Sequence, residues 1–239
     1  MPRALLFVLR DPADPMIAHE RNAFAGAAGL AIEQVEVHLA AEGVVEPSRM
    51  KAFDALFFGG SGAYSVFDDV PWIHAGFHLL EMACDLQIPS WASCFGFQGL
   101  AKVLGGEVIR DDAQMERGST RLRLTEAGTK DSLFGGLPTE FWAQQGHHDL
   151  VTELPDEVEL LATGDQVYAQ AFRVKGIPFW ASQFHPELTL GQTLERFEYY
   201  KDHYFDDEQD FESLLAELAG GHDSPEVASL LTRVVRGDY

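Results

Sequence analysis

Ile88 Pro89 Ser90 Trp91 Ala92 Ser93 Cys94 Phe95 Gly96 Phe97 Gln98 is the stretch on which the reading of this sequence turns. Residues 88–93 read as a short buried strand, and residues 95–104 as a helix closed by Gly105 and Gly106. Between them stands Cys94, with small residues two positions before it (Ala92) and two after (Gly96). A strand that turns sharply into a helix at a nucleophilic residue, with no room for bulk at those flanks, has the pattern of a nucleophile elbow. Such a turn is strained and pushes the nucleophile into the open. The helix N-terminus beneath the sulfur is expected to favour thiolate over thiol.

The same alternation extends outward. Residues 3–9 form a short apolar run ended by Asp11 Pro12 Ala13 Asp14 Pro15, which reads as a buried strand followed by a turn and a helix over about 16–29. Residues 32–39 alternate apolar and polar as a strand does, and residues 52–58 form a third strand running into Gly59 Gly60 Ser61 Gly62. Residues 71–86 are amphipathic, with Pro71 at a first helical position. Strands alternating with helices of this length predict an α/β fold with a mixed, mainly parallel central sheet and helices on both faces.

Between residues 107 and 125 the pattern shortens, as in an antiparallel extension, and residues 141–143, 158–162, 169–174 and 179–182 supply further strands. Beyond Pro186 the chain turns helical and acidic. Asp206, Asp207, Glu208, Asp210 and Glu212 read as a solvated helix start, and Ser224 and Pro225 as the cap and first turn of a last helix ending near Arg236. The expectation is one domain over residues 1–239, with residues 190–239 as its acidic helical extension.

Composition narrows the function. The 239 residues hold 17 Lys and Arg against 38 Asp and Glu, a formal charge of −21 that repels phosphate backbones and anionic lipid. Nucleic acid and membrane are therefore not expected partners. The apolar run at residues 4–9 is too short for a signal-peptide core, and nothing approaches the length of a membrane span. The two cysteines, Cys84 and Cys94, fit a reducing, cytoplasmic setting, and no Cys/His spacing resembles a metal site. Cys84, near Leu79, Leu80 and Met82 on one helix, is expected to pack in the core.

Gln183 Phe184 His185 Pro186 Glu187 ends a predicted strand. A thiol nucleophile needs a base that also protonates the leaving group, and the imidazole needs an acceptor that fixes its tautomer. His185 and Glu187 can supply both. Together the two motifs resemble those of the class I glutamine amidotransferases, Gly-x-Cys-x-Gly-x-Gln and Gln-Phe-His-Pro-Glu. The second is matched in full, the first with Ala92 for the leading glycine, and the resemblance runs over roughly residues 3–195. It implies a flavodoxin-like three-layer fold and a catalytic triad of Cys94, His185 and Glu187, with Cys94 attacking the side-chain amide of glutamine. No metal or organic cofactor is implied.

The resemblance also implies an oxyanion loop at Gly59 Gly60 Ser61 Gly62, with the amides of Gly60 and Phe95 as the donor pair. Substrate contacts are expected from Gly62, Gln98, His148 and Asp149, the last two in the segment Gly146 His147 His148 Asp149, which is expected to be a loop with His147 as a structural hydrogen-bonder. Glu116 Arg117 Gly118 is a shorter match near the site. Phe97, where many members are polar, is expected to make the rim of the site apolar. No ATP-binding synthetase segment follows the motifs, which leaves three functional readings: a glutaminase subunit feeding a separate synthetase, a free-standing γ-glutamyl peptidase or hydrolase, and an idle binding or regulatory module. The oligomeric state is not legible.

Overall fold

The computed structural model of the protein describes residues 1–205, 208–218 and 221–239. In chain order the strands are β1 (Ala4–Val8), β2 (Val35–Leu39), β3 (Ala55–Phe58), β4 (Ser90–Ser93), β5 (Glu107–Arg110), β6 (Glu116–Leu124), β7 (Glu140–His147), β8 (Asp149–Glu153), β9 (Val158–Thr163), β10 (Ala171–Val174) and β11 (Phe179–Ser182). Nine of them form one sheet in the order β2-β1-β3-β4-β11-β10-β9-β6-β7, and β5 pairs with β8 in a separate antiparallel ribbon.

The first five strands of that order pair parallel and the remaining pairings are antiparallel. The parallel half has the strand order of a doubly wound fold, in which sites form beyond the carboxyl ends of the strands. Both faces are covered, so β1, β3 and β4 are buried at every position. Successive residues of β1 enter opposite layers of the core: Leu5 and Phe7 one, Ala4, Leu6 and Val8 the other. The helices Pro71–Leu86 and Phe95–Val103 pack on the first face, and Met16–Ala28 and Pro225–Arg236 on the second.

Local chemistry sets the helix ends. Met16–Ala28 stops at Gly29, which takes φ 65° at no steric cost. Leu190–Tyr199 begins with a capping box, in which Thr189 accepts from the Gln192 amide and the Gln192 side chain accepts from the Thr189 N–H.

Several expectations need correction. Residues 32–34 form a turn of 3₁₀ helix ahead of β2. The segment 146–149 is no free loop: Gly146 and His147 end β7 and Asp149 starts β8, so the chain steps there from the main sheet to the ribbon. Ser224 stands at the N-cap of the last helix with Pro225 in its first turn, but its hydroxyl donates to the Trp142 carbonyl instead of accepting from a helix N–H. Of the acidic run, Asp206 and Asp207 lie outside the described residues, and Asp210 is no bystander in solvent, since it takes both terminal nitrogens of Arg117 at 2.7 and 3.1 Å. No helix among the described residues is long and apolar enough to cross a membrane.

Candidate active site

Cys94 sits where β4 passes into the helix Phe95–Val103, with φ 51° and ψ −104°. A side-chain-bearing residue at positive φ is strained, and neighbours must hold it there. The Cys94 N–H donates to the Ser182 carbonyl at 2.8 Å and the Cys94 carbonyl accepts from Gln98 N–H at 3.0 Å, fixing the residue from both sides. The flanking small residues have a packing reason. A Cβ on Gly96 would lie 2.9 Å from the Phe58 carbonyl oxygen and 3.2 Å from the Ala92 methyl, so the turn closes only with hydrogen at that position.

β11 pairs with β4 in register, Ser182 beside Ser93, which brings the segment after β11 alongside the elbow. There His185 Nδ1 lies 2.7 Å from Oε1 of Glu187, whose other oxygen accepts from Ser93 Oγ at 3.0 Å. All three of Cys94, His185 and Glu187 are buried. Gly60 lies between thiol and imidazole: a Cβ there would sit 3.0 Å from Cε1 of His185 and 3.6 Å from Cβ of Cys94. A side chain at residue 60 would therefore press on the imidazole.

The electrostatics differ from the sequence expectation at the sulfur. Burial, with the Glu187 charge second, pushes the Cys94 thiol up to about 12, although Arg196 and the Phe95 N–H both act to lower it. The helix N-terminus therefore does not produce a resting thiolate. Burial lowers His185 below its ordinary value, partly offset by Glu187. Glu187 itself stays below the usual carboxylate range: burial alone would raise it, and His185 and Arg196 outweigh that. At neutral pH the resting pair is thiol and neutral imidazole, with a charged carboxylate holding Nδ1–H and leaving Nε2 as the base.

The oxyanion pair is half assembled. Phe95 N–H lies against the sulfur, but Gly60 N–H donates to Oε1 of Glu20 at 3.1 Å and so is turned to that carboxylate. Glu20 belongs to a buried charge cluster that sequence reading missed. Arg10 holds both Glu20 oxygens at 3.0 and 3.2 Å and donates to Tyr200 Oη at 2.7 Å. Arg196 has one nitrogen 3.8 Å from Glu20 and another 3.7 Å from Glu187 and 3.5 Å from Nδ1 of His185. None of these residues carries a local motif, because the pairing joins positions up to 190 residues apart.

A polar cavity of about 230 Å³ opens at Cys94 and is bordered by Gly62, Gln98, His148 and Asp149. Asp149 is buried; its Oδ2 accepts from Ser65 Oγ at 2.6 Å while its Oδ1 has no hydrogen-bond partner among the described residues. A carboxylate at the border of such a space suits an ammonium group. Gln98 spends its amide nitrogen on the Asp149 carbonyl at 2.8 Å, so it shapes the wall. His148 pairs through Nδ1 with Asp112 at 2.8 Å. His147 is buried between the Asp149 carbonyl at 3.0 Å and Glu116 at 3.1 Å, which accounts for the Glu116 Arg117 Gly118 segment lying nearby.

Phe97 is fully buried against Phe172, so the rim is not made apolar by it. Instead the C-terminal segment forms one wall: Tyr200 packs so closely on Gly62 that a Cβ there would lie 2.4 Å from its ring, and His203 borders the cavity. Cys84 packs at the edge of the core, its thiol likewise raised to about 12 by burial. Among the described residues no group of three or more His, Cys, Asp or Glu is placed to hold a metal ion.

Comparison with known proteins bears on the fold and the family. The structure superposes on a glutamine amidotransferase from Thermotoga maritima with a TM-score of 0.68 at 21% identity, covering 98% of this chain and 99% of that one. It matches a glutamine amido transferase from Methylobacillus flagellatus at 0.71 and 17%, covering 100% and 96%; both likenesses concern the fold. In sequence the chain is 33% identical over 140 residues to a subunit of the glutamine-hydrolyzing GMP synthase of Sulfolobus acidocaldarius, covering 59% of this chain and 70% of that protein. Against the glutamine-hydrolyzing GMP synthase of Porphyromonas gingivalis it is 31% identical over 142 residues, again 59% of this chain but only 26% of the relative's length. The family model "Glutamine amidotransferase class-I" matches residues 24–202, a span that holds the elbow and the Gln-Phe-His-Pro-Glu motif. The chain belongs to the class I glutamine amidotransferase family.

Proposed function

We propose that this protein hydrolyses a γ-glutamyl amide, by default that of glutamine, through a thioester on Cys94, and that it supplies the ammonia to a synthetase on a separate chain. The observation that carries the reading is the strained Cys94 standing where the cavity bordered by Asp149 meets the side on which His185, paired with Glu187, lies. Asp149 holds the substrate's α-ammonium, which directs the side-chain amide toward the sulfur. His185 Nε2 takes the thiol proton as sulfur bonds to the amide carbon, so thiolate forms only as it is consumed. Glu187 stabilises the imidazolium, and Phe95 N–H donates to the developing oxyanion. Gly60 joins as second donor only after its peptide turns away from Glu20. His185 then protonates the leaving nitrogen, ammonia departs, and water cleaves the thioester to release glutamate.

The synthetase partner is inferred from relatives that are named as subunits of glutamine-hydrolysing synthases. A free-standing γ-glutamyl hydrolase is the second reading, favoured by the wall that Tyr200 and His203 build beside the cavity from the chain itself. Glutamate release by the purified chain, from glutamine and from γ-glutamyl peptides, with Cys94→Ala as blank, tests both. Cys94-dependent turnover of glutamine is expected, and a strong preference for peptides establishes the second reading. Glutamate release that survives Cys94→Ala overturns the thioester mechanism.

A further inference from the structure

The polar cavity beside Cys94 is bordered by a charge that the mechanism above does not use. Among the described residues around it, Arg110 is the only lysine or arginine. The chain carries a formal charge of −21, so an anionic group nearing this cavity meets a repulsive field that a local cation must offset. The Arg110 side chain is 53% exposed, within reach of a ligand.

The ribbon sets its placement. Arg110 ends β5 and stands directly opposite Asp149, the first residue of β8. Directly opposed residues of an antiparallel pair project from the same face, with Cβ atoms about 4.5–5.5 Å apart. Opposite charges so placed ordinarily pair, yet each of these is held by another partner. Arg110 Nε lies 3.3 Å from Oδ1 of Asp112, whereas Oδ2 of Asp149 accepts from Ser65 Oγ at 2.6 Å. Both holders are themselves fixed: Asp112 also pairs with His148 Nδ1 at 2.8 Å, and Ser65 N–H donates to Asp68 at 2.8 Å. Asp112 meets the guanidinium at Nε, and a rigid fork engaged there leaves its terminal nitrogens for a further acceptor. A cation and an anion thus stand side by side at the border of one cavity, the complement of a zwitterion.

We propose that Arg110 selects donors with a free α-carboxylate, its terminal nitrogens taking that carboxylate while Asp149 takes the α-ammonium. The proposal rests on the γ-glutamyl reading above and adds to it the class of donor. Glutamine and γ-glutamyl peptides carry both charges on one carbon, adjacent to each other as the two residues are adjacent across the ribbon. A glutamine inside a polypeptide, or one amidated at its α-carboxyl, lacks the anion and is excluded. Arg110 moves no proton. It is a specificity residue: a fork on the carboxylate and a carboxylate on the ammonium hold the head group at two points, which fixes the direction of the side-chain amide.

Binding tests this independently of turnover. The full chain carrying Cys94→Ala is titrated calorimetrically with L-glutamine and with L-glutaminamide, whose α-carboxyl is a neutral amide, and Arg110→Gln and Arg110→Lys are then made in that background. The parent is expected to bind glutamine about tenfold more tightly than glutaminamide, the scale of one charge-assisted hydrogen bond. Arg110→Gln is expected to weaken glutamine about tenfold and to leave glutaminamide within about twofold, so that the preference disappears. Arg110→Lys keeps the charge without the fork and recovers part of the loss. An unshifted Tm shows that each variant is folded. Equal affinity of the parent for the two ligands, an unchanged affinity of Arg110→Gln for glutamine, or equal weakening of both ligands, as a merely structural role would give, overturns the assignment. If the parent binds neither ligand, it is the γ-glutamyl reading that fails.

Discussion

Gly96→Ala tests whether the elbow is as tightly closed as its contacts indicate. The new methyl would stand 2.9 Å from the Phe58 carbonyl oxygen, 3.1 Å from Phe58 Cβ and 3.2 Å from the Ala92 methyl. Overpacking of this kind costs about 1–3 kcal/mol. Alanine's better helix propensity returns up to ~1 kcal/mol. The net expectation is a loss of about 1–2 kcal/mol, or roughly 2–8 °C in Tm for a chain of this size. Ala92→Gly removes one of the colliding methyls but leaves the Phe58 carbonyl, which belongs to the backbone of β3 and cannot step aside. In a double-mutant cycle read by urea denaturation, the pair should therefore show a favourable coupling of roughly 0.5–1 kcal/mol without full recovery. Turnover should fall further than stability, because Phe95 and Cys94 begin the helix that is displaced. Wild-type stability in Gly96→Ala, or complete restoration by Ala92→Gly, would refute the reasoning.

Other consequences are as direct. Glu20→Gln leaves the buried Arg10 guanidinium without its carboxylate, and breaking a buried pair by removing one partner costs about 3–5 kcal/mol; a Tm within experimental error of wild type would show that Tyr200 and Asp14 suffice for Arg10. Because burial holds His185 below its ordinary 6.5, the base stays neutral through mild acid, and the acid limb of kcat/KM should lie below that value; a limb above it contradicts the burial argument. The same lowered value means that the unfolded chain binds this proton first, so stability falls as pH drops below about 6.5, at up to ~1.4 kcal/mol per pH unit per proton. Glu187, also lowered, contributes stability that is lost in turn as pH falls through the carboxylate range. Denaturant midpoints that do not change between about pH 7 and 5 would contradict this.

The parts of the fold written in short sequence windows were legible and the parts written in long-range pairing were not. Pro71 marks its helix to the residue, and the apolar runs of β1, β3 and β4 reveal a sheet covered on both faces. The elbow and the Gln-Phe-His-Pro-Glu motif are local patterns too, and β4–β11 pairing is all that is needed to bring them together. β8 escaped notice because residues 146–149 look like a polar turn, while their backbone divides between two sheets. Phe97 was misplaced because its distance along the helix from Cys94 does not reveal that its side of the helix faces Phe172. Arg10, Glu20 and Arg196 are ordinary charged residues in sequence; only their burial together beneath the His185–Glu187 pair distinguishes them. That burial also reverses the expectation for the thiol, since loss of solvent outweighs the helix N-terminus.

The reversal defines the most direct test of the central claim. Cys84 and Cys94 are both held at about 12 by burial, so a small electrophile such as iodoacetamide should react slowly with either near neutral pH. A glutamine-shaped diazoketone carries an α-ammonium for Asp149 and brings its diazo carbon to the sulfur, where the thiol proton passes through His185 to that carbon and dinitrogen leaves as the C–S bond forms. Peptide mass analysis should find this reagent on Cys94 alone, with labelling suppressed by glutamine and lost in His185→Ala. Labelling of Cys84 and Cys94 to the same extent, or labelling of Cys94 that glutamine does not slow, would contradict a γ-glutamyl site at the elbow.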